Sequence, residues 1–143
     1  MSADPAEALR TLAATLRAEE TPISSHVVEP AASPDLGLLA AAGPGAAADP
    51  AEYALIVEAV REGYLLHYGT SRLLAGHDDD LALLAGDYLY ALGLDRLAAL
   101  GDDRAVAILS DLISSCARLH AEDRAASVPR LWDEAARSIA ASS

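Results

Sequence analysis

The stretch LALLAGDYLYALGLDRLAAL, Leu81 to Leu100, decides how the rest of this chain is read. Leu81, Leu83, Leu84, Leu89, Leu92, Leu94, Leu97 and Leu100 point in several directions around a helix, so the spacing predicts one that is apolar nearly all round and therefore central. Asp78, Asp79 and Asp80 stand just before it, where a helix amino terminus needs acceptors and negative charge. Gly101 stands just after it, where a carboxyl-terminal cap favours glycine. Working outward, Asp102 or Asp103 opens a further helix whose Val106, Leu109, Ile113, Cys116 and Leu119 trace one stripe as far as Asp123. Ser127, Val128 and Pro129 begin a last helix that offers Leu131, Trp132, Ala135 and Ile139 to one side of a bundle.

Upstream, Asp49 and Pro50 repeat the cap-plus-proline start of Asp4 and Pro5, with Ser2 an alternative first cap. The paired strings DPAEALR and DPAEYAL diverge afterwards and read as two similar helix starts, not a repeat. The second of these helices carries Tyr53, Ile56, Val57, Val60 and Tyr64 and is expected to run towards Leu74, with Gly76 as its stop. The first carries Leu9, Leu12 and Leu16 and ends near Glu20. Between them, residues 21–48 hold Pro22, Pro30, Pro34 and Pro44 among glycines and small residues, and read as a linker or mobile loop. A short helical turn over Asp35 to Ala42 fits inside it, with Leu36, Leu39 and Ala40 as its apolar face. The expectation is an all-α compact bundle of about five helices, orthogonal or antiparallel, forming a single domain over 1–143 with a Pro/Gly/Ala-rich loop after the first helix.

Composition narrows the function classes. A chain of 143 residues is long enough for a core that needs no metal or disulfide, and its one cysteine, Cys116, reads as a small buried hydrophobe. The net charge of -12, with arginine supplying every basic side chain, argues against nucleic acid and anionic membrane surfaces, which are themselves polyanions. Asp, Glu or Arg interrupts every apolar run short of a membrane span, and no secretory leader is readable, which places the expected location in the cytoplasm.

His77, Asp78, Asp79 and Asp80 are the densest cluster of metal-ligating side chains, of the oxygen-rich kind that suits Mg²⁺ or Ca²⁺. Consecutive residues at a helix start point in different directions, however, and acids there already stabilise the helix dipole. No EF-hand, zinc, P-loop or dinucleotide-binding pattern occurs, and no nucleophile elbow. His67 and His120 lie among apolar residues as partly buried, satisfied histidines, whereas His26 falls in the loop. Asp87 stands out because a carboxylate inside a helix buried all round needs a partner, for which Arg61, Arg72 and Arg118 are available in a structural ion pair. Gly86 before it lets another backbone come close, and Tyr88 follows it.

Ala85, Gly86, Asp87 and Tyr88 carry a resemblance to a known family. The Leu81–Leu100 string resembles the helix of trans-polyprenyl diphosphate synthases that reads Ala-Gly-Asp followed by a leucine-rich tail, and HYGTSRLLAG, His67 to Gly76, is similar to the region leading into it. Nearest in flavour is the small, non-catalytic subunit of two-component heptaprenyl diphosphate synthases. Catalytic members of the family hold Mg²⁺ against an allylic diphosphate with two DDxxD motifs, helped by Arg and Lys. Neither motif is present. Asp78, Asp79 and Asp80 come too late in the chain for the first motif and lack its spacing, and the sequence contains no lysine. At about half the family's usual length, the chain is also expected to be too short to enclose a long prenyl tail by itself. The resemblance therefore implies a subunit without catalysis of its own, with no cofactor unless a catalytic partner brings Mg²⁺. Such a subunit would bind a prenyl synthase-like partner or a second copy of itself through apolar helix faces, with Gly86, Asp87 and Tyr88 as structural or substrate-facing residues. The alternative is an unrelated helical regulatory or scaffold protein with no isoprenoid role.

Overall fold

Four aspartates begin helices by placing a carboxylate oxygen on a backbone N–H. Asp4 accepts from Ala6 at 2.9 Å, Asp49 from Glu52 at 3.2 Å, Asp78 from Leu81 at 2.8 Å and Asp102 from Ala105 at 3.0 Å. Each such cap is worth about 1 kcal/mol. The structure, a computed structural model, describes residues 4–141, so Ser2 lies outside the described residues. Within them are six α-helices: α1 (Ala8–Ala18), α2 (Asp35–Ala41), α3 (Pro50–Tyr68), α4 (Asp79–Ala99), α5 (Asp103–Ala121) and α6 (Val128–Ala140). A 3-10 turn, Pro5–Glu7, leads from Asp4 into α1. The described residues form no strand, and the bundle is all-α.

The central helix is α3, not the leucine-rich α4. Every residue from Tyr53 to Val60 is buried, and α1, α2 and α4 all pack on α3. On α4, by contrast, Leu83 and Leu84 are 57% and 59% exposed and Leu100 is 40% exposed. Leucine content alone does not make a helix central, because close packing depends on small residues as much as on large ones. The buried face of α4 is Ala85, Gly86, Leu89, Gly93 and Leu97. A methyl group added at Gly93 would lie 2.6 Å from Val60 Cγ2, and one at Gly63 would lie 2.8 Å from the Gly86 carbonyl oxygen. The two backbones thus meet at glycine. A bidentate ion pair closes the other end of the contact, with Arg96 Nε and Nη2 donating to the Glu52 carboxylate at 2.8 and 2.9 Å.

Residues 21–48, expected as a linker or mobile loop, are folded onto the helices. Besides α2 they contain 3-10 turns at Ser24–His26 and Pro44–Ala46, and Ile23, Ala40 and Ala46 are buried. The Val28 N–H donates to the Leu73 carbonyl at 2.8 Å and the Ala75 N–H to the His26 carbonyl at 3.0 Å, making an isolated antiparallel bridge between Val27 and Leu74. The prolines and glycines that erase periodicity also permit close contact: a methyl at Gly37 would lie 2.7 Å from the Ala54 carbonyl, and one at Gly43 would strike the Ala140 carbonyl. The helix beyond the five expected, α2, is the short turn foreseen at Asp35 to Ala42.

Helix α3 stops at Tyr68 and does not continue to Leu74. Gly69 leaves helical geometry at φ -135° and ψ -140°, and the chain then doubles back. What it returns to is a pair of buried acids on α3. Hydrophobic residues gather on two sides of α3. Ile56, Val57 and Val60 pack with Leu97, Leu109, Trp132 and Ile139, while Ala59 and Leu66 pack with Leu9, Leu12, Leu16, Leu73 and Leu89. Cys116 is buried in the first group, and burial pushes its thiol pKa up.

Candidate functional site

Glu58 and Glu62 are the only buried charged side chains among the described residues, and both are fully buried. They lie four apart on α3, so they face the same side of the helix one turn apart. The returning segment supplies what two buried carboxylates require. Arg72 Nε donates to Glu62 Oε1 at 3.0 Å and Arg72 Nη1 to Glu58 Oε1 at 2.6 Å, so one guanidinium spans both acids. Glu62 Oε2 also accepts from the Ser71 hydroxyl and from the Arg72 N–H at 3.0 Å. Glu58 Oε2 accepts from the Gly37 N–H at 2.7 Å. Each of the four carboxylate oxygens thus has a partner, the condition under which buried charge is tolerated.

Beside this cluster opens a cavity of about 220 Å³, lined by Ser33, Asp35, Leu36, Glu58, Arg61 and Arg72. Arg61 is half-buried there and forms no salt bridge among the described residues. Its guanidinium carbon lies 5.2 Å from the centre of the Tyr64 ring and 5.0 Å from that of Trp132, within cation–π range of both. Burial, and after it the positive charge of Arg72, push the Arg61 pKa below its ordinary value. The aromatic cluster continues away from the cavity. The Tyr64 hydroxyl lies 2.7 Å from His120 Nε2, and Tyr68 stacks on the His120 ring at 4.0 Å. Burial raises the pKa of Tyr64 and of Tyr90.

Of the residues singled out in the sequence, Arg61 and Arg72 line this cavity and His67 meets Gly86 and Asp87, whereas the His77–Asp80 cluster is not part of the cavity lining. Asp78 caps α4, Asp79 and Asp80 are exposed in its first turn, and His77 is half-buried with its Nδ1 unpartnered. Among the described residues no three His, Cys, Asp or Glu side chains come together as a metal donor set. Asp87 was expected inside the bundle beside Arg61, Arg72 or Arg118. Its side chain is instead 69% exposed, with Oδ1 3.2 Å from His67 Nε2, and Arg72 serves the α3 acids. Gly86 is buried against the His67 ring, and the Tyr88 hydroxyl donates to Glu19. Successive helical residues leave the axis about 100° apart, so Gly86, Asp87 and Tyr88 face three ways. His67 and His120 are partly buried and hydrogen-bonded, and His26, in the segment read as a linker or mobile loop, holds the Ala75 carbonyl at 3.0 Å through Nδ1.

Glu58 and Glu62 went unremarked in the sequence. The legible signal was two acids at i and i+4 within an otherwise apolar stretch, IVEAVREGY, that also carries an arginine. No family model, curated protein or solved structure matches this chain. No helix among the described residues is long and apolar enough to cross a membrane.

Proposed function

We propose that this chain is a non-catalytic helical subunit, resembling the small subunit of a polyprenyl diphosphate synthase. It acts by docking a catalytic partner or a second copy of itself through apolar helix faces. The observation that supports this reading is the outer side of α4. The helix that carries the Ala-Gly-Asp-Tyr string also carries Leu83 and Leu84 more than half exposed, beside an outward Asp87. Covering a fully exposed leucine side chain is worth about 1.5–3 kcal/mol, and Leu83 and Leu84, more than half exposed, leave part of that for a partner to supply. In this reading Gly86 sets the contact of α4 with α3, Asp87 faces the partner, and Mg²⁺ enters only with the catalytic chain.

The test is a mass-resolved measurement of size in solution together with a pull-down from the native host, and prenyl transfer assayed with Mg²⁺ for the chain alone and for the mixture. Activity confined to the mixture with a recovered synthase supports the proposal. A monodisperse monomer that recovers no synthase overturns it. The second reading, an unrelated helical regulatory or scaffold protein with no isoprenoid role, is favoured by the polar cavity at Arg61, a feature that the subunit reading does not use.

A further inference from the structure

In a chain of net charge -12, a half-buried arginine without a carboxylate partner is out of keeping with the supply of acids. The two buried acids, Glu58 and Glu62, are already committed. Glu58 spends one oxygen on Arg72 and the other on the Gly37 N–H, and Glu62 is held by Arg72 and Ser71. Asp35, on the wall of the same cavity, is exposed and forms no salt bridge among the described residues. The cavity therefore presents one cation that rests on aromatic rings and has no carboxylate partner, Arg61, and one anion that has no cationic partner among the described residues, Asp35, without joining them. The planar guanidinium fork matches a carboxylate in two-point fashion.

We propose that this cavity binds a small amino carboxylate, with Arg61 receiving the carboxylate and Asp35 the ammonium group. A volume of about 220 Å³ falls below the roughly 300–1,000 Å³ of pockets for drug-sized ligands, which suits a small metabolite such as a free amino acid. The carboxylates of Glu58 and Asp35 on the same walls oppose a phosphate dianion. Leu36 supplies an apolar wall for a short side chain. The site requires no partner protein, so it stands or falls independently of the docking face on α4.

The chain carries its own reporter, because its single tryptophan, Trp132, lies 5.0 Å from the Arg61 guanidinium carbon. The experiment titrates the full chain with L-alanine, L-serine, acetate, methylamine and inorganic phosphate, following Trp132 fluorescence and confirming by calorimetry. Saturable binding of the two amino acids is expected, weaker binding of acetate, and none of methylamine or phosphate. Arg61→Lys should weaken amino-acid and acetate binding alike by about tenfold or more through loss of the two-point contact. Asp35→Asn, on an exposed side chain, should abolish the preference for the amino acids over acetate without weakening acetate, whose repulsion by Asp35 it removes; it carries the test if the Arg61 variant misfolds. Absence of saturable binding by the amino acids, phosphate binding as tight as theirs, or an Asp35→Asn protein that keeps the preference would each overturn the proposal.

Discussion

Glu62 illustrates what a carboxylate requires in order to be buried completely: a guanidinium, a hydroxyl and backbone N–H groups, all from a segment that leaves the helix to reach it. Arg72→Ala would strand two charges in the interior, and the expected loss is about 3–5 kcal/mol, measured by urea unfolding. Replacing Glu58, Glu62 and Arg72 together by apolar residues of similar size should cost far less than Arg72→Ala alone, because the penalty comes from the unpaired charge. A loss for the triple variant as large as that for Arg72→Ala would refute this account. The Tyr53 hydroxyl, which donates to Asp102 at 2.5 Å, gives a pH signature. Burial first, and then the hydrogen bond to and charge of Asp102, push the Tyr53 pKa from 10.0 up to about 12. On the other side of that bond, burial raises the Asp102 pKa, but the Tyr53 hydroxyl, the Ala105 N–H and the charge of Arg104 together bring it below its ordinary value. The folded state thus holds the phenol proton more tightly than the unfolded chain does. The stabilisation is complete below pH 10 and is lost as the pH rises from 10 towards 12. Tyr53→Phe should cost about 1 kcal/mol at neutral pH and flatten this alkaline decline, as read from thermal melts across that range.

Among the elements, the contact between α3 and α4 sets the architecture, and it is glycine on both sides. A methyl at Gly63 would meet the Gly86 carbonyl oxygen and the Tyr90 ring, and one at Gly86 would meet the His67 ring. Gly63→Ala pushes against backbone, which cannot rotate away, so it should destabilise by about 1–3 kcal/mol. Gly101 provides the contrast. It ends α4 with φ +75° and has open space around it, so Gly101→Ala should cost only the left-handed conformation, about 1 kcal/mol, and Gly101→Asn less. Equal losses at Gly63 and Gly101 would show that close approach is not what holds the two helices. The same contact explains why α4 can be rich in leucine and still lie outside: its glycines and alanines make the inner face, which leaves Leu83 and Leu84 to the surface.

Across the whole molecule, α3 joins two hydrophobic groups. Leu12 is fully buried in one and Trp132 in the other, and both groups contain α3 residues. Leu12→Ala should cost about 2–5 kcal/mol and lower the midpoint seen by Trp132 fluorescence as much as that seen by helical circular dichroism, because α3 couples the groups into one transition. Separate midpoints would mean that they unfold independently. On the surface, Leu83→Ser with Leu84→Ser should leave the folded chain within about 0.5 kcal/mol per site while removing association with a partner or a second copy, as measured by light scattering and pull-down. Association that survives the double substitution would move the docking face away from α4.

By itself the sequence determined the helical class, most helix starts and the burial of Cys116. Those follow from local chemistry: an aspartate just ahead of a helical stretch can accept from the first free N–H groups whatever lies elsewhere in the chain, and a stripe of spacing three and four has one apolar side whatever covers it. The tertiary structure alone decided which helix is central, that residues 21–48 pack onto the bundle, that Asp87 faces outward, and that Arg72 turns back to Glu58 and Glu62. Each of these depends on residues far apart in the chain. Gly63 matters because Gly86 lies opposite it, and Glu58 can be buried because Gly37 and Arg72 arrive from either side. Periodicity along one helix carries no information about such meetings, because what makes a carboxylate tolerable in the interior is the partner that another segment brings to it.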